Sequence, residues 1–377
     1  MSTIKIGLIT TLNTNIGDDL IRVGIGHILA EVFRDRTIEY VMVNKHKPLS
    51  VYEKGHPIHL AEMAHALPRG GGYVFKLAER LGAQLQHSRF DQCDLIVQCG
   101  APVFWPGCHN VEWAEPLWKH VVGRLAQRIP VFNLAAGSAY PWQAQPTVFE
   151  DEADKAYAAD LLGYCQLTTV RDRLAKKLCD SLGSNVPQLP CTAFLSSAGQ
   201  QMDAQPDKYI LINYMAGGGH FKWNQPIDSA RWQGVVSELI AKIGRRHKVG
   251  LLCHNGEEYE LAEKLAPSLP RFLPQSPQEF MAVASTAKAA LCNRMHAAVG
   301  LASMGVPSIA VCTDTRLLML ETLGLPHYYV EETSVGQLEA ELESLVADHE
   351  KWHNQLDNLR IETCQKYISL VENTLTN

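Results

Sequence analysis

The feature that most constrains this chain is an alternation repeated along its length. An apolar run of five to nine residues is followed by a polar or glycine-containing turn, then by a segment with helical periodicity. The first cycle is "IKIGLIT" (4–10), then "NTNIGDD", then Ile21, Ile25, Ile28, Leu29 and Val32, spaced along one helix face between Asp19 and Phe33. Runs this short that are apolar at nearly every position read as strands buried on both faces. Further strands are expected at 38–43, 94–100, 129–137 and 166–172. Parallel strands need long crossover connections, so strands alternating with helices imply a mostly parallel sheet with helices on both faces.

At 196–207, "SSAGQQMDAQPD" is poor in large apolar residues and rich in turn formers, and reads as a linker. A second series follows, with strands at 208–214, 248–254, 289–293 and 307–312 and helices near 229–245, 257–266, 296–304 and 316–323. From Ser334 onward the leucine spacing predicts two helices. A length of 377 residues exceeds one ordinary core. The expected organisation is an α/β domain over 1–200, a second over 207–335, and helices at 336–377 packing back on the first. Two doubly wound halves facing across a cleft is the architecture this implies.

A net charge of −6 argues against a surface built for nucleic acid, so any anionic ligand must be held by local groups. No apolar run approaches the roughly 18 residues of an integral membrane segment, and the opening "MSTIKIGLITTL" reads as a strand rather than a signal peptide. The ten cysteines form no CxxC pair, and several lie inside apolar runs, as expected of free thiols in the cytoplasm.

Open α/β sheets bind ligands beyond the carboxyl ends of their strands. In "AALCNRMHAAVG" (289–300), Arg294 and His296 stand where a strand ends and a helix begins. On extended backbone they project to one side, toward the free N–H groups of the helix. A surface arginine and a core histidine fit the same pattern. Other strand ends add His220, Lys222 and Trp223 beside the glycines of "NYMAGGGHFKWN" (213–224), and His254 in "LLCHNGEE". Asn15, Gly17, Asp18 and Asp19 follow the first strand, where an aspartate is either a helix cap or a site residue. Arg171 and Asp172 form either a structural ion pair or a ligand contact. "PVFWPGCHNVEWAEPLW" (102–118), with Trp105, Trp113, Trp118, Glu112 and Glu115, is either a sugar-binding loop or a packing loop. His56, His59 and His65 lack an accompanying ligand set, so no metal is expected, and "PRGGG" (68–72) reads as a mobile loop.

"CNRMHAAVGLASMGVPSIAV" resembles the C-terminal signature of the polysaccharide pyruvyl transferase family: Ser or Asn, then Arg-Leu/Met-His-Ala, a small-residue helix and Gly-x-Pro. "NTNIGDDLI" (13–21) is similar to the family's opening Asn-x-Gly-Asp loop, and "TTVRDRLAKKLCDSLG" (168–183) to its Val-Arg-Asp segment. The chain departs from the family at "QCGAPVF" (98–104), where a Gly-Gly-Gly strand end is common, and at "LPCTAF" (189–194), where Asp-Pro is common. The resemblance implies a glycosyltransferase-B (GT-B) type fold, two Rossmann-like domains with the active site between them. It also implies transfer of a pyruvyl group from phosphoenolpyruvate to two sugar hydroxyls of a glycan or glycolipid precursor, giving a cyclic ketal and free phosphate.

On that reading the second domain is the donor side. Arg294, Asn293 and the helix N-terminus meet one anionic group and Arg171 or Arg316 the other, with His254, His220 and Lys222 nearby. His296 is the general acid or phosphate partner, and Asp18 the base or hydroxyl acceptor. Asn15, Gly17, Trp105, Trp113 and Glu112 form the acceptor side on the first domain. No cofactor is required beyond the donor, the partner is a sugar-containing acceptor, and a homo-oligomer is compatible with the sequence. Two alternatives share the cleft: a nucleotide-sugar-dependent glycosyltransferase and a catalytically silent carbohydrate-binding homologue.

Overall fold

The computed structural model of the chain describes residues 2–13, 15–65, 70–80, 88–199, 208–221 and 223–376. The first sheet holds β1 (Ser2–Thr10), β2 (Arg36–Asn44), β3 (Leu95–Cys99), β4 (Pro102–Phe104), β5 (Val131–Ser138) and β6 (Leu167–Val170). Its order is β2-β1-β3-β5-β4, with β6 also paired to β5. The second sheet holds β7 (Tyr209–Asn213), β8 (Lys248–Leu252), β9 (Arg271–Phe272), β10 (Ala287–Cys292), β11 (Ser308–Cys312) and β12 (His327–Tyr329), in the order β12-β11-β10-β7-β8-β9. Every pairing between these strands is parallel. β3, β5 and β6 are buried along their whole length, which explains continuous apolar runs in place of alternation.

Each sheet has a point where the chain switches direction. β1 lies between β2 and β3, and β7 between β8 and β10. Crossovers diverge at such points and leave a crevice outside the carboxyl ends of the strands. The two crevices face each other.

The helix Ile16–Val32 begins at Asn15, whose side chain accepts the Gly17 N–H, and carries Asp18 and Asp19 in its first turn, where the helix dipole favours negative charge. Its stripe of Leu20, Ile21, Ile25, Ile28 and Leu29 is buried. This stripe packs on the second domain's helix Met295–Ser303, where a Cβ on Gly300 would fall 2.8 Å from Leu20 and 2.7 Å from Phe280. A single hydrophobic cluster therefore runs across the seam, joining Leu20 and Ile21 to Phe280, Ala298 and Leu301. The seam is itself a core, in addition to one apolar cluster within each half.

The tail forms the helices Val335–Ala347 and His349–Thr376. The second lies against Ile16–Val32 of the first domain and is pinned there by the Tyr367 hydroxyl, which donates to the Pro190 carbonyl at 2.9 Å. The helix expected near 316–323 is a 3₁₀ helix, Thr315–Leu323. Leu317, Leu318, Met319, Leu320 and Leu323 are all buried there, so apolar spacing could not separate the two helix types. Among the described residues no helix is long and apolar enough to cross a membrane. Residues 200–207 of the expected linker and 68–69 of the glycine loop lie outside the described set.

Candidate active site

A cavity of about 560 Å³ lies between the facing strand ends. The first domain contributes Asn15 and Asp18 after β1, Lys45 and His46 after β2, Trp105, Glu112 and Trp113 after β4, and Arg171 after β6. The second contributes His220, Phe221 and Trp223 after β7, His254 and Asn255 after β8, Arg294 and His296 after β10, and Arg316 after β11. The strand-end residues singled out from sequence thus converge, with exceptions. Asn293 and Gly17 do not line the cavity, and Lys222 lies outside the described residues.

The second-domain arginines carry carboxylates of their own. Arg294 donates from Nε to Glu258 Oε1 at 2.6 Å, and its backbone N–H donates to Asn213 Oδ1 at 2.7 Å. Glu258 is buried and also accepts from the His254 N–H (2.9 Å) and Asn213 Nδ2 (3.0 Å). Arg316 grips buried Asp314 through Nε (2.8 Å) and Nη2 (2.7 Å), with its guanidinium 4.6 Å from the Phe221 ring centroid. Both arginines, expected to meet anionic groups of the donor, are thus already paired with carboxylates of the chain. Asn293, expected to bind donor, points the other way. It accepts the Met215 N–H (2.9 Å) and the Trp232 indole N–H (3.3 Å) and donates to the Val311 carbonyl (2.8 Å), holding the end of β10 in place.

The first-domain cations differ. Arg171 is 0% exposed, and its Nη1 stands 3.3 Å from His296 Nε2 and 3.6 Å from Cys191 Sγ. Its Nε and Nη2 have no hydrogen-bond partner among the described residues. Asp172 does not pair with it. That carboxylate accepts the Ser138 N–H and hydroxyl and the Ala175 N–H, each at 2.8 Å, and caps the helix Arg173–Ser181. Lys45, which the sequence reading passed over, is 7% exposed and places its ammonium 4.9 Å from the Trp113 ring centroid. It has no ion-pair partner among the described residues. Burial pushes its pKa down, Asp18 opposes that and Arg171 adds to it.

His296 sits in the first turn of its helix. Burial lowers its pKa well below the usual value, reinforced by Arg171, Arg316, His254 and Arg294. It is a neutral imidazole whose Nε2 accepts from Arg171, which puts its proton on Nδ1 by the hydrogen-bond pattern. With its Nε2 lone pair toward Arg171 it is arranged as a proton acceptor, which bears on the expectation that it serves as general acid or phosphate partner. A Cβ on Gly17 would lie 2.7 Å from His296 Cβ, so this glycine, expected to contact acceptor, instead lets the histidine pack against the opening helix.

Asp18 accepts from Asn15 Nδ2 at 2.7 Å, and burial raises its pKa. Asn15 is the cap, which leaves Asp18 to the cavity, while Asp19 pairs with Arg22 on the helix. His254 has no partner for either ring nitrogen among the described residues, and burial lowers its pKa to about 4 against the pull of Glu258. Burial, then Arg294 and Arg316, also lower the pKa of His220. The second-domain wall is thus close to neutral: two matched ion pairs and three imidazoles, His220, His254 and His296, whose pKa values are all lowered.

Trp105 and Trp113 meet edge to face at 5.8 Å, and Glu112 is held by His46 Nδ1 at 2.7 Å. Trp118 is packed in the core and Glu115 pairs with Lys119 on the surface, so these two stand apart from the cavity. His56 stacks on Tyr52 at 4.8 Å and His59 lies near the Glu53 carbonyl at 3.1 Å, while the His65 side chain lies outside the described set. Among the described residues one group has metal-ligand spacing, His109, Asp151 and Asp154. There Asp154 accepts the Gly107 N–H (2.7 Å) and the His109 N–H (3.0 Å), bracing the loop behind Trp105 against the helix Glu152–Tyr164.

The signature of one sequence family, polysaccharide pyruvyl transferase, matches residues 15–314. No curated protein matches the chain. Among solved structures, UDP-GlcNAc 2-epimerase from Neisseria meningitidis bound to UDP-GlcNAc is similar, with a TM-score of 0.53 at 12% identity over 99% of each chain. A putative UDP-N-acetylglucosamine 2-epimerase from Listeria monocytogenes gives 0.54 at 12% identity, over 94% of this chain and 91% of that one. The S. aureus MnaA–UDP structure gives 0.51 at 11% identity over the same shares. At such identities the likeness establishes the fold, two Rossmann-like halves of GT-B type.

Proposed function

The chain belongs to the polysaccharide pyruvyl transferase family, and from that premise we propose that it moves a pyruvyl group from phosphoenolpyruvate to two hydroxyls of one sugar, releasing phosphate. The observation that carries the donor assignment is Arg171, a fully buried guanidinium with two unpartnered nitrogens beside His296 at the cavity. An uncompensated buried charge is costly, and a bound anion supplies the missing partner. Phosphoenolpyruvate carries a carboxylate and a phosphate on a three-carbon body, which suits a small cavity with concentrated donors.

In the balanced reaction the enol carbon C2 gains two bonds to acceptor oxygens and loses its bond to the phosphate oxygen. One hydroxyl proton ends on the methylene carbon, which becomes a methyl group, and the other leaves with phosphate. Asp18, whose carboxyl keeps its proton to higher pH than usual, is suited to deliver or collect a proton. Burial, then the neighbouring cations, lower the pKa of His296; a bound dianion offsets the cations' share, which favours His296 taking a hydroxyl proton and passing it to phosphate. The neutral wall of His220 and His254, facing Trp105, Trp113 and Glu112, offers hydrogen bonds and flat apolar faces to an uncharged sugar. Phosphoenolpyruvate as donor implies work in the cytoplasm, a reading that ten free cysteines support.

The test is phosphate release from phosphoenolpyruvate with a panel of sugar acceptors, coupled to mass detection of the ketal. The expected result is acceptor-dependent release. Stabilisation by UDP-GlcNAc with no response to phosphoenolpyruvate overturns the reading in favour of a nucleotide-sugar enzyme, and a response to sugar alone favours a silent homologue.

A further inference from the structure

Four side chains with permanent or ordinarily permanent positive charge line the cavity: Lys45, Arg171, Arg294 and Arg316. Glu258 and Asp314 match the last two. The first two stand on the same wall, where β2 and β6 end, and none of the described ion pairs includes either. Lys45 is more than nine-tenths buried, and its backbone is fixed by an N–H bond to the Thr10 carbonyl at 2.9 Å. The Trp113 ring engages one side of the ammonium, and three N–H donors are more than one ring face can use. Asp18, the carboxyl nearest in charge effect, is already bonded to Asn15. With no carboxylate at ion-pair distance among the described residues, the ammonium is open to an anion that enters the cavity.

We infer that Lys45 is a second anchor for the anionic end of the donor, forming with Arg171 a two-cation clamp on the first-domain wall. The clamp takes a small dianion, and its identification as phosphoenolpyruvate rests on the function proposed above. The anion then lies against the first domain, and the matched arginines orient neutral groups across from it.

Calorimetric titration of inorganic phosphate tests the clamp without requiring turnover. Lys45→Met should weaken phosphate binding about tenfold or more, the effect of losing one charge-assisted hydrogen bond. It should raise KM for phosphoenolpyruvate by a similar factor while changing kcat less than about threefold, and Lys45→Arg should recover most of the loss. A folded Lys45→Met protein that binds phosphate as tightly as wild type overturns the clamp. If that variant does not fold, amine acylation of the wild-type chain decides. Phosphate should slow labelling of Lys45 severalfold and leave exposed Lys177 unchanged, and equal slowing of both, or of neither, also overturns it. Phosphate binding that depends on Lys45 without turnover of phosphoenolpyruvate leaves the clamp standing and removes the donor assignment; turnover indifferent to Lys45 does the reverse.

Discussion

The two walls of the cavity hold similar charges in opposite states. On the second domain each arginine leans on a buried carboxylate, Arg294 on Glu258 and Arg316 on Asp314. On the first, Arg171 and Lys45 have no such partner among the described residues. The family's most recognisable residue is therefore electrostatically satisfied, and the attraction for an anion comes from positions with less sequence signature. A guanidinium at a strand end shows where a site is. Whether it is free depends on what folds against it.

The largest expected effect falls on the unpaired wall. Arg171→Met removes two open donors worth about 1.5–3 kcal/mol each to a bound anion, so kcat/KM should fall about 10²–10⁴-fold. Its melting temperature should stay level or rise, because an uncompensated charge leaves the interior. The matched wall should behave in reverse: Arg294→Met strands Glu258 and should cost about 3–5 kcal/mol in denaturant titration, with much of it recovered by adding Glu258→Gln. If Arg294→Met is as stable as wild type, the contrast between the walls fails.

His254 sharpens the comparison by pH. Folded, it resists protonation until about pH 4, whereas unfolded it titrates near 6.5. The unfolded chain therefore binds a proton that the folded chain refuses, and stability falls as pH drops from 6.5 toward 4, by at most about 3 kcal/mol. His254→Asn should flatten that part of the stability–pH curve. The smallest effect belongs to the seam. Gly17→Ala places a Cβ 2.7 Å from His296 Cβ and should cost about 1–3 kcal/mol by thermal melt, with lower activity as the imidazole shifts.

Much of this geometry was legible before folding. The parallel strands and the strand-end positions of Arg171, His254, Arg294 and His296 follow from apolar run length and the carboxyl-edge rule, whereas the first helix begins at Ile16, ahead of the Asp19 expected from apolar spacing. The separation of Arg171 from Asp172, left open by the sequence, is explained by the backbone. Asp172 is extended, with φ −142°, and neighbouring side chains on extended backbone point to opposite sides. Lys45 was hidden in the polar stretch after β2, although its place just past a parallel strand marked it for the same edge. Glu258 carried no comparable signal. It lies 36 residues before Arg294, in the first turn of the helix Gly256–Leu265, and only tertiary packing brings the two together. β9 and β12, of two and three residues, are too short for any period to show.

Calorimetric titration of phosphoenolpyruvate into wild type, Arg171→Met and Arg294→Met tests the central claim most directly. The account predicts saturable binding to wild type, none detectable to a folded Arg171→Met protein, and retained binding by whatever fraction of Arg294→Met remains folded. Undiminished binding by Arg171→Met, or loss confined to Arg294→Met, contradicts it.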